Sequence, residues 1–456
     1  MPTRLLRAGI GAAVILTAAA CATESPTAPA ADAPDLMRRN SPDLVAAVRA
    51  LAVGRKIGPL NNPRYVRPSL VSLGQALAFD KELSGNRDIS CMTCHLPRFG
   101  TGDLRALSIG QGATGLGPNR VHPQGLFIPR NAPSLFNAAT NQFLFWDGRV
   151  STDARGRFHT PAGTQLTPEM TRVFEFGALS ALPLFPVLSR EEMRAFDGNE
   201  LAAISDDQMQ QVWDGLMKRL GRIPEYRRMF EAAYPGTPFR RMTFAHASNA
   251  IAGFIAARMN SNDAPWDRFL RGQDNALTPG QLDGARTFLS LKCSICHNGP
   301  TLSDGQFHNV AVPQFGPGKG NGPSGRDDFG RFNIDPDPTL RYAFRTPPLR
   351  NVVMTAPYGH DGANMSLRDF IAHYSESDLK LNTFDPGTLE PLLQGTMVAN
   401  QADILATRDT LLRGVVLTDS LVNELTVFMG ALTDDPIRFG TVVPRRVPSG
   451  LPVDNP

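Results

Sequence analysis

Two pentapeptides constrain this chain more than anything else in it: Cys91-Met92-Thr93-Cys94-His95 and Cys293-Ser294-Ile295-Cys296-His297. Each reads C-x-x-C-H, the attachment motif of a covalent haem c. The spacing follows from the chemistry. Two thiols three positions apart can add to the two vinyl groups on one edge of a haem, and the adjacent histidine then lies under the iron as proximal ligand. Competing readings fit poorly. A disulfide framework has no use for a histidine after the second cysteine of each pair. A zinc site from two C-x-x-C pairs would use neither histidine, and these pairs stand far outside ribbon spacing. A thioredoxin-like motif needs a βαβ pattern around it, and none is present. The chain is therefore expected to carry two haem c groups, one on Cys91, Cys94 and His95 and one on Cys293, Cys296 and His297.

A chain of 456 residues is too long for one comfortable core and predicts two domains. It holds 41 Gly and 38 Pro, so much of it should be loop, and a haem is one means of filling a loop-rich core. Lys and Arg number 46 against 43 Asp and Glu, and without Arg4 and Arg7 the balance is 44 to 43. That near-neutrality argues against nucleic acid as the main partner, while leaving room for a local patch that meets a small redox protein.

The N-terminus reads as an export signal over residues 1–20. Arg4 and Arg7 precede an apolar run, Ala8 to Ala20, that is too short for a spanning anchor. The run ends Thr17-Ala18-Ala19-Ala20-Cys21, which is similar to a bacterial lipoprotein cleavage box with Ala18 where Leu is commoner. Cys21 is the odd cysteine of five, and a spare thiol is a liability in an oxidising compartment. Lipidation of Cys21 is the favoured reading, and ordinary cleavage near Ala20 is the alternative. Residues 21–40 suit a flexible tether. The expected location is periplasmic, with a lipid on Cys21 as the only link to a membrane.

Helical periodicity dominates the rest. Helices are expected over Ser69–Phe79, Asp206–Leu220, Pro224–Ala233, a long Phe244–Leu270, a segment opened by Thr278-Pro279 and running to Leu291, Ser366–Tyr374 and Asp419–Leu432. Thr then Pro is an N-cap and first-turn signal. Gly/Pro-rich stretches at 110–134, 312–348 and 380–400 read as long loops, and no alternating strand series stands out.

The ordered signposts between these helices resemble the bacterial di-haem cytochrome c peroxidase and MauG family. They are Ala76-Leu77-Ala78-Phe79-Asp80 and Leu83-Ser84; Arg130-Asn131-Ala132-Pro133-Ser134-Leu135-Phe136-Asn137; Phe145-Trp146-Asp147-Gly148-Arg149; Pro224-Glu225-Tyr226; Phe269-Leu270-Arg271-Gly272; Thr346-Pro347-Pro348-Leu349-Arg350-Asn351; and Thr355-Ala356-Pro357-Tyr358-Gly359-His360-Asp361-Gly362. The resemblance runs from about Ser69 to Leu432. It implies a mainly α fold of two cytochrome c-like domains, each with one covalent haem c, with long loops and a calcium ion and a tryptophan near the interface. The expected division is 41–242 for an N-terminal peroxidatic domain, 243–415 for an electron-transfer domain, and 416–456 for a terminal helix and tail, the segment after about 415 rejoining the first domain.

The resemblance also implies roles. His95 would serve the haem that meets peroxide, and His297 the haem that relays electrons. Cleaving peroxide needs a proton moved from one oxygen to the other, and the family places a Glu-Met there, with a Pro six residues before the Glu. Glu192-Met193, with Pro186, fits that pattern and is preferred; Glu169-Met170 is the rival and lacks the Pro. The choice implies an insertion over about Val150 to Leu182. Gln111 falls where conventional peroxidases have His and MauG has Gln, and could hydrogen-bond a bound oxygen species. Trp146 matches the interhaem tryptophan. Asn131, with backbone oxygens of Thr355 and Pro357, matches the calcium ligands. The conventional Met ligand of the second haem is replaced by Tyr374, as in MauG; His373 is the runner-up, and Met354, Met365 and Met397 are weaker candidates. A phenolate would lower that haem's potential relative to Met.

The function expected is a peroxidase that reduces hydrogen peroxide to water. Its electrons would come from a small cytochrome c or cupredoxin or, MauG-like, from a protein or organic substrate. The rival is a di-haem electron carrier without peroxidase activity. A homodimer is compatible with the resemblance, and the sequence does not fix the oligomeric state.

Overall fold

The computed structural model describes residues 40–61, 64–435 and 442–455. The export signal, nearly all of the tether and Cys21 lie outside the described residues. The fold is mainly helical, and its strands are two or three residues long. Phe143–Leu144, Val150–Thr152 and Phe158–His159 form one antiparallel sheet, and Phe307–His308 pairs with Phe344–Arg345. Among the described residues no helix is long and apolar enough to cross a membrane.

Two hydrophobic cores organise the chain. The first is built on the crossing of helices Pro68–Phe79 and Phe244–Arg258, with Met209–Gly221 and Pro224–Ala233 alongside. Leu70, Leu73, Leu77, Ala247, Ala250 and Phe254 are buried there, and Cys91 and Cys94 border it. The crossing is close because Gly74 has no side chain: a Cβ there would lie 1.9 Å from the Ala250 carbonyl oxygen. The second core joins helices Pro42–Gly54, Pro279–Ser290 and Asp419–Ala431 around Val48, Leu282, Phe288 and Phe428, and Cys293 borders it. Here Gly284 lets the Glu424 backbone approach.

Chain order and core membership do not coincide, so the expected boundaries shift. Helix Phe244–Arg258, expected to open the second domain, belongs to the first core because its Ala- and Gly-rich surface is buried almost all round. Helices Pro42–Gly54 and Asp419–Ala431 belong to the second core. Only the later part of the tail returns to the first, through Val442 and Val447. Asp454 there pairs with Lys81 at 2.6 Å and accepts from Thr93, inside the first cysteine motif.

The expected long helix Phe244–Leu270 is two helices, Phe244–Arg258 and Pro265–Leu270. Pro265 cannot continue a helix but favours its first turn. The backbone between them is committed elsewhere: Ser261 N–H donates to Asn137 Oδ1 at 3.0 Å. The other helices agree with expectation to within about three residues. At Thr278 the cap is reciprocal: Gln281 N–H donates to the Thr278 hydroxyl and Thr278 N–H to Gln281 Oε1. That cap sets the helix that ends just before Cys293.

Candidate functional site

Both cysteine motifs fold alike. Cys91–Cys94 and Cys293–Cys296 are single helical turns, and His95 and His297 end them at φ/ψ of −110/56 and −98/64. His95 Nδ1 lies 2.9 Å from the Thr101 carbonyl, and His297 Nδ1 lies 3.0 Å from that of Leu302. Thr101 and Leu302 both have positive φ, 62° and 58°, which side-chain-bearing residues seldom adopt. The repeated geometry turns a carbonyl onto each Nδ1 and so leaves Nε2 as the lone-pair nitrogen, the tautomer a metal ligand needs. Burial lowers the pKa of both imidazoles and favours the neutral form. Burial pushes the thiols of Cys91 and Cys293 up to about 12 and about 11, and none of the four motif cysteines is in a disulfide.

Each motif opens on a cavity. The first, about 170 Å³, is lined by Cys91, Cys94 and His95, and by Glu192. Glu192 sits on a wide π-type turn, Arg190–Arg194. Such turns recur at functional sites because they redirect side chains out of helical register. The turn is pinned from outside. Ser189 Oγ accepts from Glu192 N–H at 3.2 Å, Gln111 N–H donates to Glu191 O at 3.1 Å, and Gly85 N–H donates to Met193 O at 2.7 Å. Gly110 is required at this contact, since a Cβ there would lie 2.1 Å from Glu191 O. The Glu192 carboxyl has no hydrogen bond or ion pair among the described residues. Burial raises its pKa, partly offset by Arg149 and Lys319. Glu169 is an exposed helix-start acid, 3.7 Å from Arg172, and does not line the cavity. The structure brings Glu192 to the first motif and leaves Glu169 on the surface.

Gln111 departs from expectation. Its side chain donates to Asp88 Oδ2 at 2.8 Å and does not line the cavity. The backbone contact to Glu191 fixes the loop with the amide turned away, so Gln111 braces the Glu192 turn and is not placed to meet a bound oxygen species.

Four cations line the first cavity: Arg130, Arg149, Lys319 and Arg345. Arg130 holds Asp328 at 2.6 and 2.8 Å and Asp147 at 2.6 Å, all buried. Burial would raise the Asp147 pKa, but Arg130 and Arg149 hold it well below the usual carboxylate range. Among the described residues Arg345 has only carbonyl partners, Phe145 O and Thr346 O, each at 3.3 Å, and burial lowers its pKa to about 10. Burial also lowers that of Lys319. Four cations against Asp147 and Asp328 leave an excess of two positive charges while Glu192 is protonated, and of one when it is ionised. Two ionised propionates of a haem would balance the larger excess. With the paired thiols and the oriented imidazole, the residues present fit a haem.

The second cavity, about 380 Å³, is lined by Cys293, Cys296, His297 and Tyr374, among others. Tyr374 ends helix Leu367–His373, and its hydroxyl has no hydrogen-bond partner among the described residues. Burial raises its pKa. His373 is turned away: its Nε2 lies 2.7 Å from the Val310 carbonyl, and it does not line the cavity. Met354, Met365 and Met397 do not line it either, and Met365 is exposed. Met429, on helix Asp419–Ala431, does.

Trp146 lines both cavities, as do Asn131, Pro133, Ser134 and Arg345. The indole Nε1–H donates to the Asn131 carbonyl at 2.9 Å, so the tryptophan and the asparagine are locked together in the shared wall. The Asn131 amide nitrogen donates to the carbonyls of Arg105 and Ala106, which leaves Oδ1 without a donor. The carbonyls of Thr355 and Pro357 also accept no hydrogen bond among the described residues, and Asp361 Oδ2 is buried without a partner.

Several functional features were not read from the sequence. Arg130 and Arg149 lie in quoted signposts, but their partner Asp328 is remote in sequence. Lys319 hides in a Gly-rich loop. Met429 looks like core filler. His308, on the rim of the second cavity, sits 3.0 Å from Asp304 and 2.5 Å from Asp409. Burial opposes its charge, yet Asp304, Cys296 and Asp409 together hold its pKa up at about 11.

Two cysteine-histidine cavities that share one wall, the first with an unpaired carboxyl, define a di-haem c protein of peroxidase type. Residues 68–275 match the family model of the di-haem cytochrome c peroxidases. Over 312 residues the chain is 30% identical to cytochrome c551 peroxidase from Pseudomonas aeruginosa, covering 67% of this chain and 72% of that one. It is 27% identical to the methylamine utilization protein MauG of Methylorubrum extorquens, covering 69% and 70%. The crystal structure of a MauG-like protein associated with microbial copper homeostasis matches with a TM-score of 0.57 at 26% identity, covering 82% of this chain and 94% of that one. The chain belongs to the di-haem cytochrome c peroxidase and MauG family and is an oxidoreductase of that type. Family membership implies two haem c groups.

Proposed function

We propose that this chain is an exported, periplasmic peroxidase that reduces hydrogen peroxide to two waters at the first cavity, with electrons entering through the second. The observation that carries the reading is Glu192: a half-buried carboxyl beside Cys91 and Cys94, without a hydrogen bond or ion pair among the described residues. The haem held by Cys91, Cys94 and His95 supplies the redox-active iron at which peroxide is reduced. Glu192 takes the proton from one peroxide oxygen and returns it to the other, which leaves as water. Arg149 and Lys319 favour its ionised form between cycles. Trp146, in the wall common to both cavities, is the electron bridge.

Cys293, Cys296 and His297 would hold the second haem, and Tyr374, in the same cavity, would supply an oxygen donor to its iron. An anionic oxygen donor lowers the potential relative to a thioether, which favours oxidation of a protein or organic substrate in MauG fashion. Met429 supports the second reading, a thioether-ligated haem fed by a small cytochrome c or cupredoxin. Asn131 Oδ1 and the carbonyls of Thr355 and Pro357, residues that all line the second cavity, would hold a calcium ion. A lipid on Cys21 is the proposed membrane link.

The test is a set of spectra of the diferric and diferrous protein before and after one equivalent of peroxide, with peroxide consumption followed in parallel. Spectral change with consumption is expected. Two unchanging low-spin haems and no consumption would identify an electron carrier instead.

A further inference from the structure

Three tyrosines line the second cavity, and they differ in where their phenol proton can go. Tyr374 has no hydrogen-bond partner among the described residues, and Tyr358 donates to the Val352 carbonyl at 3.0 Å, a group that cannot take up a proton under ordinary conditions. Tyr342 donates to the Asp327 carboxylate at 2.9 Å, and both residues are buried. The distinction matters because the radical cation of a phenol is a very strong acid. A buried phenol gives up an electron readily only if a base receives the proton in the same event. Elsewhere among the described residues a phenol meets a carboxylate at Tyr226 and Asp80, but that pair lines neither cavity.

Tyr342 also leads outward. Its ring meets that of Phe329 edge-on at 5.4 Å, and Phe329 meets Phe332 at 5.9 Å. The half-buried Arg341 guanidinium covers this face, 4.0 Å from the Phe329 centroid and 5.2 Å from that of Tyr342. Exposed Ile334 lies on the same stretch of chain.

We infer that Tyr342 and Asp327 form a proton-coupled electron relay that carries oxidising equivalents from the second cavity to the surface around Phe329 and Arg341. In the step, Tyr342 loses one electron to the peroxide-oxidised haem pair, its O–H bond breaks, and the proton passes to Asp327 Oδ2. The second of peroxide's two equivalents stays within the haem pair. An external one-electron donor at the Arg341 face then reduces the phenoxyl, and the proton returns from Asp327. The inference rests on the proposed peroxide chemistry.

The experiment is rapid-freeze electron paramagnetic resonance on the haem-loaded full chain after one equivalent of hydrogen peroxide. Wild type should give a tyrosyl signal that narrows when the protein carries ring-deuterated tyrosine. Tyr342→Phe should abolish it and Tyr226→Phe should leave it intact. Asp327→Asn should cut its yield at least several-fold. Peroxide consumption without a tyrosyl signal, or a signal that survives in Tyr342→Phe, overturns the relay and leaves the peroxidase reading standing. No consumption of peroxide overturns both.

Discussion

Replacing Glu192 by Gln removes a titrating oxygen while keeping the side chain's size. The carboxyl has no hydrogen bond to lose, and burial already disfavours its charge, so the thermal unfolding midpoint should stay level or rise slightly. The chemistry should suffer. A positioned proton-transfer group contributes about 10²–10⁴-fold, so turnover should drop by that factor, roughly 3–6 kcal/mol of barrier at about 1.4 kcal/mol per decade. The pH profile supplies a sharper check. The raised pKa means that Glu192 stays protonated to a higher pH than an ordinary Glu. A base is needed to accept the first proton, so kcat/KM of the wild type should fall as pH drops through that raised value. In Glu192→Gln this acid limb should vanish while the residual rate stays flat. The assay is stopped-flow peroxide consumption across pH, with both haem spectra recorded. Glu169→Gln, on an exposed residue, should do little. Full activity in Glu192→Gln, or the loss appearing in Glu169→Gln instead, would refute the assignment.

Cys91→Ala with Cys94→Ala should leave one covalent haem per chain, read by haem-stained denaturing gel and pyridine assay, where wild type gives two. Tyr374→Phe should change the spectrum and raise the potential of the second haem, with Met429→Leu silent; the opposite pattern would make Met429 the ligand. Arg130→Met should destabilise by about 3–5 kcal/mol, because it leaves Asp328 buried without its cation and Asp147 with Arg149 alone, read by denaturant unfolding. The same pair has a pH signature: both aspartates are held below the ordinary range, so their contribution is complete above about pH 4 and is lost as pH falls toward their folded values.

What could be read in advance tracks how local the signal is. The cysteine motifs demand their ligands within five residues, and the Thr278 cap closes over three, so both were legible. Glu192 was preferred on its Pro186 offset, yet the reason it faces the cavity, a wide turn pinned by Gly85 and Gly110, depends on contacts with segments distant in sequence. The side chain of Gln111 was not legible for the same reason: the sequence aligns its position, while Asp88, 23 residues away, decides where its amide points. Core membership was least legible. Nothing in Phe244–Arg258 says which core its Ala-rich surface will join, because the partner Gly74 is far off in sequence. The break after Arg258 is signalled by Asn260-Ser261-Asn262-Asp263 and Pro265, and those local signals were outweighed by Trp266, Phe269 and Leu270, which continue the apolar pattern beyond them.

Arg345 ties the two sites together and allows a last prediction. It lines both cavities, is buried, and has two carbonyls but no carboxylate for company. A guanidinium in that state is costly, and its pKa is already depressed. Its charge is therefore stabilising only when an anionic group arrives, and haem propionates are the anions at hand. A cation in the shared wall acts on both irons at once, since the field in a poorly screened interior falls off slowly. It favours the reduced, less positive iron at each. Arg345→Gln should therefore lower both potentials together, measured by spectroelectrochemical titration, and should raise the apo-protein's stability by relieving an unpaired buried charge. A shift confined to one haem would show that the wall separates the sites electrostatically. A less stable apo-protein would show that Arg345 is paid for by its carbonyl contacts alone.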